Sequence, residues 1–231
     1  MAKSMDIPQD IIDNIIAAAG DDKHLLKQCT LVSSSFLLPS RKQLFSGISI
    51  TSETCQDIHQ YLVQNPVIQS FVRNITITEI KYMMDSRPSE SPEWMNGTSL
   101  LAILQLPFCR LERFSVVVER HDWDWDWNSF SNELKDALSN IVHLSTLKTL
   151  SLTGVEKVPI TFFLHIVHLT TLELDSLSPY DFGDENSSLL TWAASNGMVP
   201  MASGVIDRCV WRYGEGDVPY GIPFICLFLT N

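Results

Sequence analysis

Apolar positions in the first fifty residues come in pairs: Ile7-Pro8, Ile11-Ile12, Ile15-Ile16, Leu25-Leu26 and Leu31-Val32, then Phe36 and Leu44-Phe45, with short polar turns between them. Ile11, Ile12, Ile15, Ile16 and Ala19 fall at helical spacing, which predicts a helix over about 7–19. Asp6 suits its N-cap, Gln9 would complete a capping box, Pro8 sits in the first turn and Gly20 follows the last. Asp21 and Asp22 place negative charge at the start of a second helix carrying Leu25, Leu26, Cys29 and Val32. Ser33, Ser34 and Ser35 loosen that pattern, and Pro39 opens a third helix over Ser40 to Phe45, closed by Gly47. Three short helices bury little surface, so such a module needs a neighbouring domain or a partner.

Beyond Ile50 a different pattern takes over. The hexapeptides Leu147-Lys-Thr-Leu150-Ser-Leu152 and Leu169-Thr-Thr-Leu172-Glu-Leu174 share one motif and start 22 residues apart. Looser copies begin at Leu111, Val72 and Phe45. The motif resembles the strand segment of leucine-rich repeats, whose period is roughly 20–29 residues. The steps of 39 residues from Val72 to Leu111 and 36 from Leu111 to Leu147 require insertions between strands. The asparagine expected after the strand is replaced by Val155 and Leu177. Helical spacing precedes each strand: Leu100, Leu101, Ile103 and Leu104; then Leu134, Ala137, Leu138 and Ile141; then Ile160, Phe163, Leu164 and Val167, opened by Pro159. The expected fold is therefore a three-helix module over 5–50 followed by an irregular α/β or α+β solenoid over 51–177. A Rossmann-type sheet needs the same alternation, but no Gly-x-Gly-x-x-Gly turn or Walker A loop is present.

The opening module carries a second resemblance. Ile7-Pro8, Asp10-Ile11, Ile15-Ile16, Asp21-Asp22, Leu25, Leu31-Val32-Ser33, Phe36 and Leu44-Phe45 follow in order the positions of an F-box, in the form found in large fungal families. Ile7 stands where the family usually has Leu, and Phe36 where an aromatic is often Trp; both keep an apolar surface. The resemblance covers about a fifth of the chain. It implies docking on the Skp1 adaptor of a cullin-RING ubiquitin ligase, with Ile7, Pro8, Ile11, Ile12, Leu31, Val32 and Phe36 as the adaptor-binding set and the remaining chain selecting a protein target. Those side chains could instead form a private helical core. Phe36 is the residue most readily assigned to an interface, because truncated aromatics dominate hot spots. The alternative function is a repeat-protein interaction scaffold with no ligase docking.

Two insertions stand out. A loop near 81–97, with Pro88 and Pro92, is either a spacer or a binding loop. The run His121-Asp-Trp-Asp-Trp-Asp-Trp-Asn128 would, as a strand, put Trp123, Trp125 and Trp127 on one side and Asp122, Asp124 and Asp126 on the other. Three readings follow: the tryptophans as packing, the ladder as a target-binding surface for a basic segment, or His121 and the carboxylates as metal ligands; the calcium-loop pattern is not met.

Composition narrows the remaining classes. A charge of −11 opposes nucleic acid as the main partner and favours basic protein segments. The five scattered cysteines fit reduced thiols and a cytoplasmic or nuclear location, with no cofactor expected. His143, His165 and His168 lie among apolar residues, and no Gly-x-Ser-x-Gly, His-Glu-x-x-His or Cys-x-x-Cys occurs, so no enzyme activity is expected. After Leu177 the repeat pattern fades, Trp211-Arg-Tyr-Gly reads as a turn, and the apolar run Ile222–Leu229 is too short to span a bilayer. That run is either a last strand or the mark of a truncated or misassigned terminus.

Overall fold

The structure is a computed structural model and describes residues 7–80, 94–119, 125–163, 166, 168–175 and 208–212. The N-terminal segment folds as α1 (Gln9–Ala19), α2 (Lys23–Val32) and α3 (Ser34–Leu44). The N-cap of α1 is Pro8, whose φ of −56° already suits helix entry; Asp6 lies outside the described residues. Gln9 does not close a capping box: its Nε2 donates to Asp13 Oδ1 at 2.8 Å, one turn further on. Gly20, at φ +55°, turns the chain out of α1 in a conformation that side chains disfavour. Asp22 caps α2, its Oδ1 accepting from His24 N–H and Leu25 N–H at 3.0 Å each.

The third helix starts at Ser34, six residues before the expected start, and Pro39 lies inside it. Phe36 decides this. Starting at Ser34 puts Phe36 and Ser40 on the inward face, and Phe36 joins Ile12, Ile16, Ala19, Leu26 and Cys29 in one small core. An interior proline costs roughly 3 kcal/mol. Burying a phenylalanine returns roughly 1.5–3 kcal/mol, and the extra helical turn adds to that.

The rest of the described chain is a six-stranded, wholly parallel sheet: β1 (Gly47–Ile50), β2 (Asn74–Ile80), β3 (Arg113–Glu119), β5 (Thr149–Thr153), β7 (Thr171–Asp175) and β8 (Arg208–Arg212), adjacent in chain order. A two-residue pair, β4 (Trp125–Asp126) with β6 (Val155–Glu156), stands beside it. The hexapeptides fall in register. Ile48, Ile75, Phe114, Leu150, Leu172 and Cys209 occupy one rung; Ile50, Ile77, Val116, Leu152, Leu174 and Trp211 occupy the next but one. Just before the strands, Arg73 N–H donates to Ser46 C=O, Glu112 N–H to Arg73 C=O, Lys148 N–H to Glu112 C=O and Thr170 N–H to Lys148 C=O. Each copy thus enters the sheet through the same backbone turn. The strand order has no reversal of the kind that makes a nucleotide crevice in a doubly wound sheet.

Crossovers explain the uneven steps. α4 (Cys55–Gln64) and α5 (Pro66–Gln69) link β1 to β2, α6 (Thr98–Leu104) precedes β3, and α7 (Asn132–Val142) precedes β5. Their apolar faces, with Leu62, Leu100, Ile103, Leu134, Leu138 and Ile141, cover the apolar face of the sheet in one continuous core. The shortest step, between β5 and β7, holds a 3-10 turn at Ile160–Phe163 where a full helix to Val167 is expected. Trp211 and Arg212, expected in a turn, lie in β8 and extend the sheet. Gly47–Ile50 belongs to this sheet and not to the helical module. The boundary is sharp: Leu44 packs on the module's core, and its neighbour Phe45 packs on the larger one.

Candidate functional site

Pairing of isoleucines in α1 has a geometric consequence. Adjacent residues on a helix differ by about 100°, so Ile11 and Ile12 cannot both face inward, nor can Ile15 and Ile16. Ile12 and Ile16 are buried, while Ile7, Ile11 and Ile15, spaced by four, make a second stripe that is 50%, 45% and 43% exposed. At the end of α2, Leu31 is 85% and Val32 64% exposed, and Leu25 and Leu38 are also open to solvent. Among the described residues, seven of the ten large exposed apolar side chains belong to this module. A module with a six-residue core therefore carries as many large apolar side chains open to water as it has core residues, and one more.

The proposed adaptor set divides accordingly. Ile7, Pro8, Ile11, Leu31 and Val32 are on the surface; Ile12 and Phe36 are 1% and 5% exposed. Assignment of Phe36 to an interface is corrected: its ring is buried with Ile12, Ile16, Ala19, Leu26 and Cys29 between the three helices. Ile15, Leu25 and Leu38 join the exposed set; the fixed spacing of Ile7, Ile11 and Ile15 is the signal that could have found the first.

The Asp-Trp run is described from Trp125 onward; His121, Asp122, Trp123 and Asp124 lie outside the described residues. Trp125 and Trp127 are buried. Strand periodicity ends at Asp126, after which Trp127–Ser129 is a 3-10 turn. Trp125 packs edge-on against Trp94 and Phe130, at ring-centre distances of 6.3 and 6.0 Å. Trp127 meets Phe162 at 4.8 Å and Phe130 at 5.6 Å. These two tryptophans are internal mortar between insertion and body, not a recognition surface, because aromatic clusters of this size are worth more buried than wet.

Asp126 is engaged as well. Its Oδ1 accepts from Asn128 N–H at 2.7 Å and its Oδ2 from Lys157 Nζ at 2.6 Å. Burial pushes this carboxyl up, but the bonds from Lys157 and Asn128 and the lysine's charge outweigh it, and the pKa falls below the ordinary aspartate value. Lys157 holds a left-handed backbone, φ +54°, at the turn where this pair ties β4 to β6. No group of three potential metal ligands occurs among the described residues.

The other candidate groups have no catalytic arrangement among the described residues. His143 is exposed, its Nδ1 2.6 Å from Ser139 C=O; His168 is exposed; His165 lies outside the described residues. Cys29, Cys55 and Cys109 are free thiols, and burial pushes the Cys55 thiol pKa up. No described helix is long and apolar enough to cross a membrane. No family model matches the chain, and neither a curated protein nor a solved structure does.

Proposed function

We propose that this chain is a non-enzymatic substrate receptor, docking on a Skp1-type adaptor through its helical module and holding a protein target on an irregular leucine-rich-repeat-like body. The observation that carries the reading is the exposed apolar stripe Ile7, Ile11 and Ile15 on α1, together with Leu31 and Val32 at the end of α2. Water-facing isoleucines and leucines at fixed helical spacing are wasteful in a free module and useful in one that is half of an interface. The order of residues over Ile7–Phe45 supports the identity of the partner, through its resemblance to an F-box. A basic segment of the target suits a chain of charge −11.

The test uses the full-length protein and purified adaptor in a surface-binding measurement. Ile11→Asp combined with Leu31→Asp is expected to weaken binding by at least about 30-fold, a loss of two hot-spot side chains. Thermal stability should stay close to wild type, since neither residue is buried. Absence of adaptor binding by the wild-type protein would refute the docking and leave the scaffold reading, in which the module caps the β1 end of the sheet.

A further inference from the structure

We propose that the groove between the helical module and the first loops of the sheet binds a compact ligand bearing several phosphate charges. The groove, open to solvent, offers about 710 Å³ and lies between α1 and α3 on one side and the turns leading into β2 and β3 on the other. That volume is typical of small-molecule sites. Three cationic side chains line it: Lys42 from α3, Arg73 before β2 and Arg110 before β3. They come from segments 31 and 37 residues apart, so only the fold assembles them. None forms an ion pair with a carboxylate among the described residues. The one acidic residue in the lining, Asp13, already accepts from Gln9.

A chain of charge −11 has carboxylates to spare, yet this groove sets three cations against the single carboxylate of Asp13. Like charges held together raise the local positive potential and draw in an anion. Two guanidiniums and an ammonium match phosphate better than carboxylate. Arginine's fork binds phosphate oxygens in pairs, and a short run of linked phosphates gathers enough negative charge in a small volume to match the set. Ser34 and Ser35 add hydroxyl groups on the α3 side of the same groove. A nucleic acid is disfavoured, because its long backbone would extend over the acidic remainder of the molecule. Lys42 is on the helical module and both arginines are on the sheet body, so the ligand bridges two parts that have separate cores.

Calorimetric titration of the full-length protein with inorganic tripolyphosphate, orthophosphate and citrate tests this. Tripolyphosphate is expected to bind at one site and at least about tenfold more tightly than either other anion, and Arg73→Gln, Arg110→Gln and Lys42→Gln should each weaken it about tenfold, one charge-assisted contact apiece. Arg113→Gln, outside the groove, should change nothing, and thermal melts of all variants establish that they are folded. No saturable binding at about 1 mM tripolyphosphate, or binding indifferent to the three substitutions, overturns the site. Equal affinity for citrate overturns the phosphate assignment. The Ile11→Asp/Leu31→Asp variant should retain tripolyphosphate binding, which separates failure of this site from failure of adaptor docking.

Discussion

Phe36 and Leu31 lie five positions apart in the sequence and have opposite fates. Phe36 closes the module's core, and Leu31 is 85% exposed. Truncating each therefore separates folding from binding. Phe36→Ala should destabilise the protein by about 3–5 kcal/mol, through lost transfer energy and the cavity left among Ile12, Ile16 and Leu26. Leu31→Asp should change stability by no more than about 0.5 kcal/mol. Chemical denaturation of the two variants checks both figures. The motif made Phe36 look like a contact residue because it records only that an aromatic belongs there; burial depends on how α3 lies against α1 and α2, which the linear order does not state.

Elements repeat the lesson with a different balance. The strands were legible because a parallel strand buried on one face needs apolar side chains at alternate positions, and the hexapeptides supply them at Ile75 and Ile77, Phe114 and Val116, and Leu150 and Leu152. The crossovers were less so. Pro39 reads as a helix start and lies within a helix, and the run Ile160–Val167 has helical spacing yet folds, over Ile160–Phe163, as a 3-10 turn in the shortest step of the array. The β4–β6 pair was invisible, since two-residue strands have no periodicity to detect. Its fastening by Asp126 and Lys157 gives an acid-sensitive contribution. The folded-state pKa of Asp126 lies below its unfolded value, so the stabilisation is full above the ordinary aspartate range and disappears as pH falls through the folded pKa. Melting temperatures of wild type and Asp126→Asn should thus differ most near neutrality and converge in acid. Both side chains are partly exposed, at 46% for Lys157 and 36% for Asp126, so the difference should be small.

At the scale of the molecule, two cores of unequal size meet at Leu44 and Phe45. A six-residue core supports its helices weakly, so amide hydrogens of α1–α3 should exchange faster than those of β2, β3 and β5. Saturating adaptor should slow exchange in α1 and α2 selectively; equal protection of module and sheet in the free protein would contradict two separately stabilised units. By itself the sequence determined the three-helix start, the five strands that carry the hexapeptides and their common motif, because helical and strand periodicities are local properties of side-chain spacing. Tertiary structure alone decided that Phe36, Trp125 and Trp127 are internal and that Lys42, Arg73 and Arg110 share one groove. Those outcomes depend on which separate elements pack together, and burial or charge decided between elements has no signature in the spacing of neighbours.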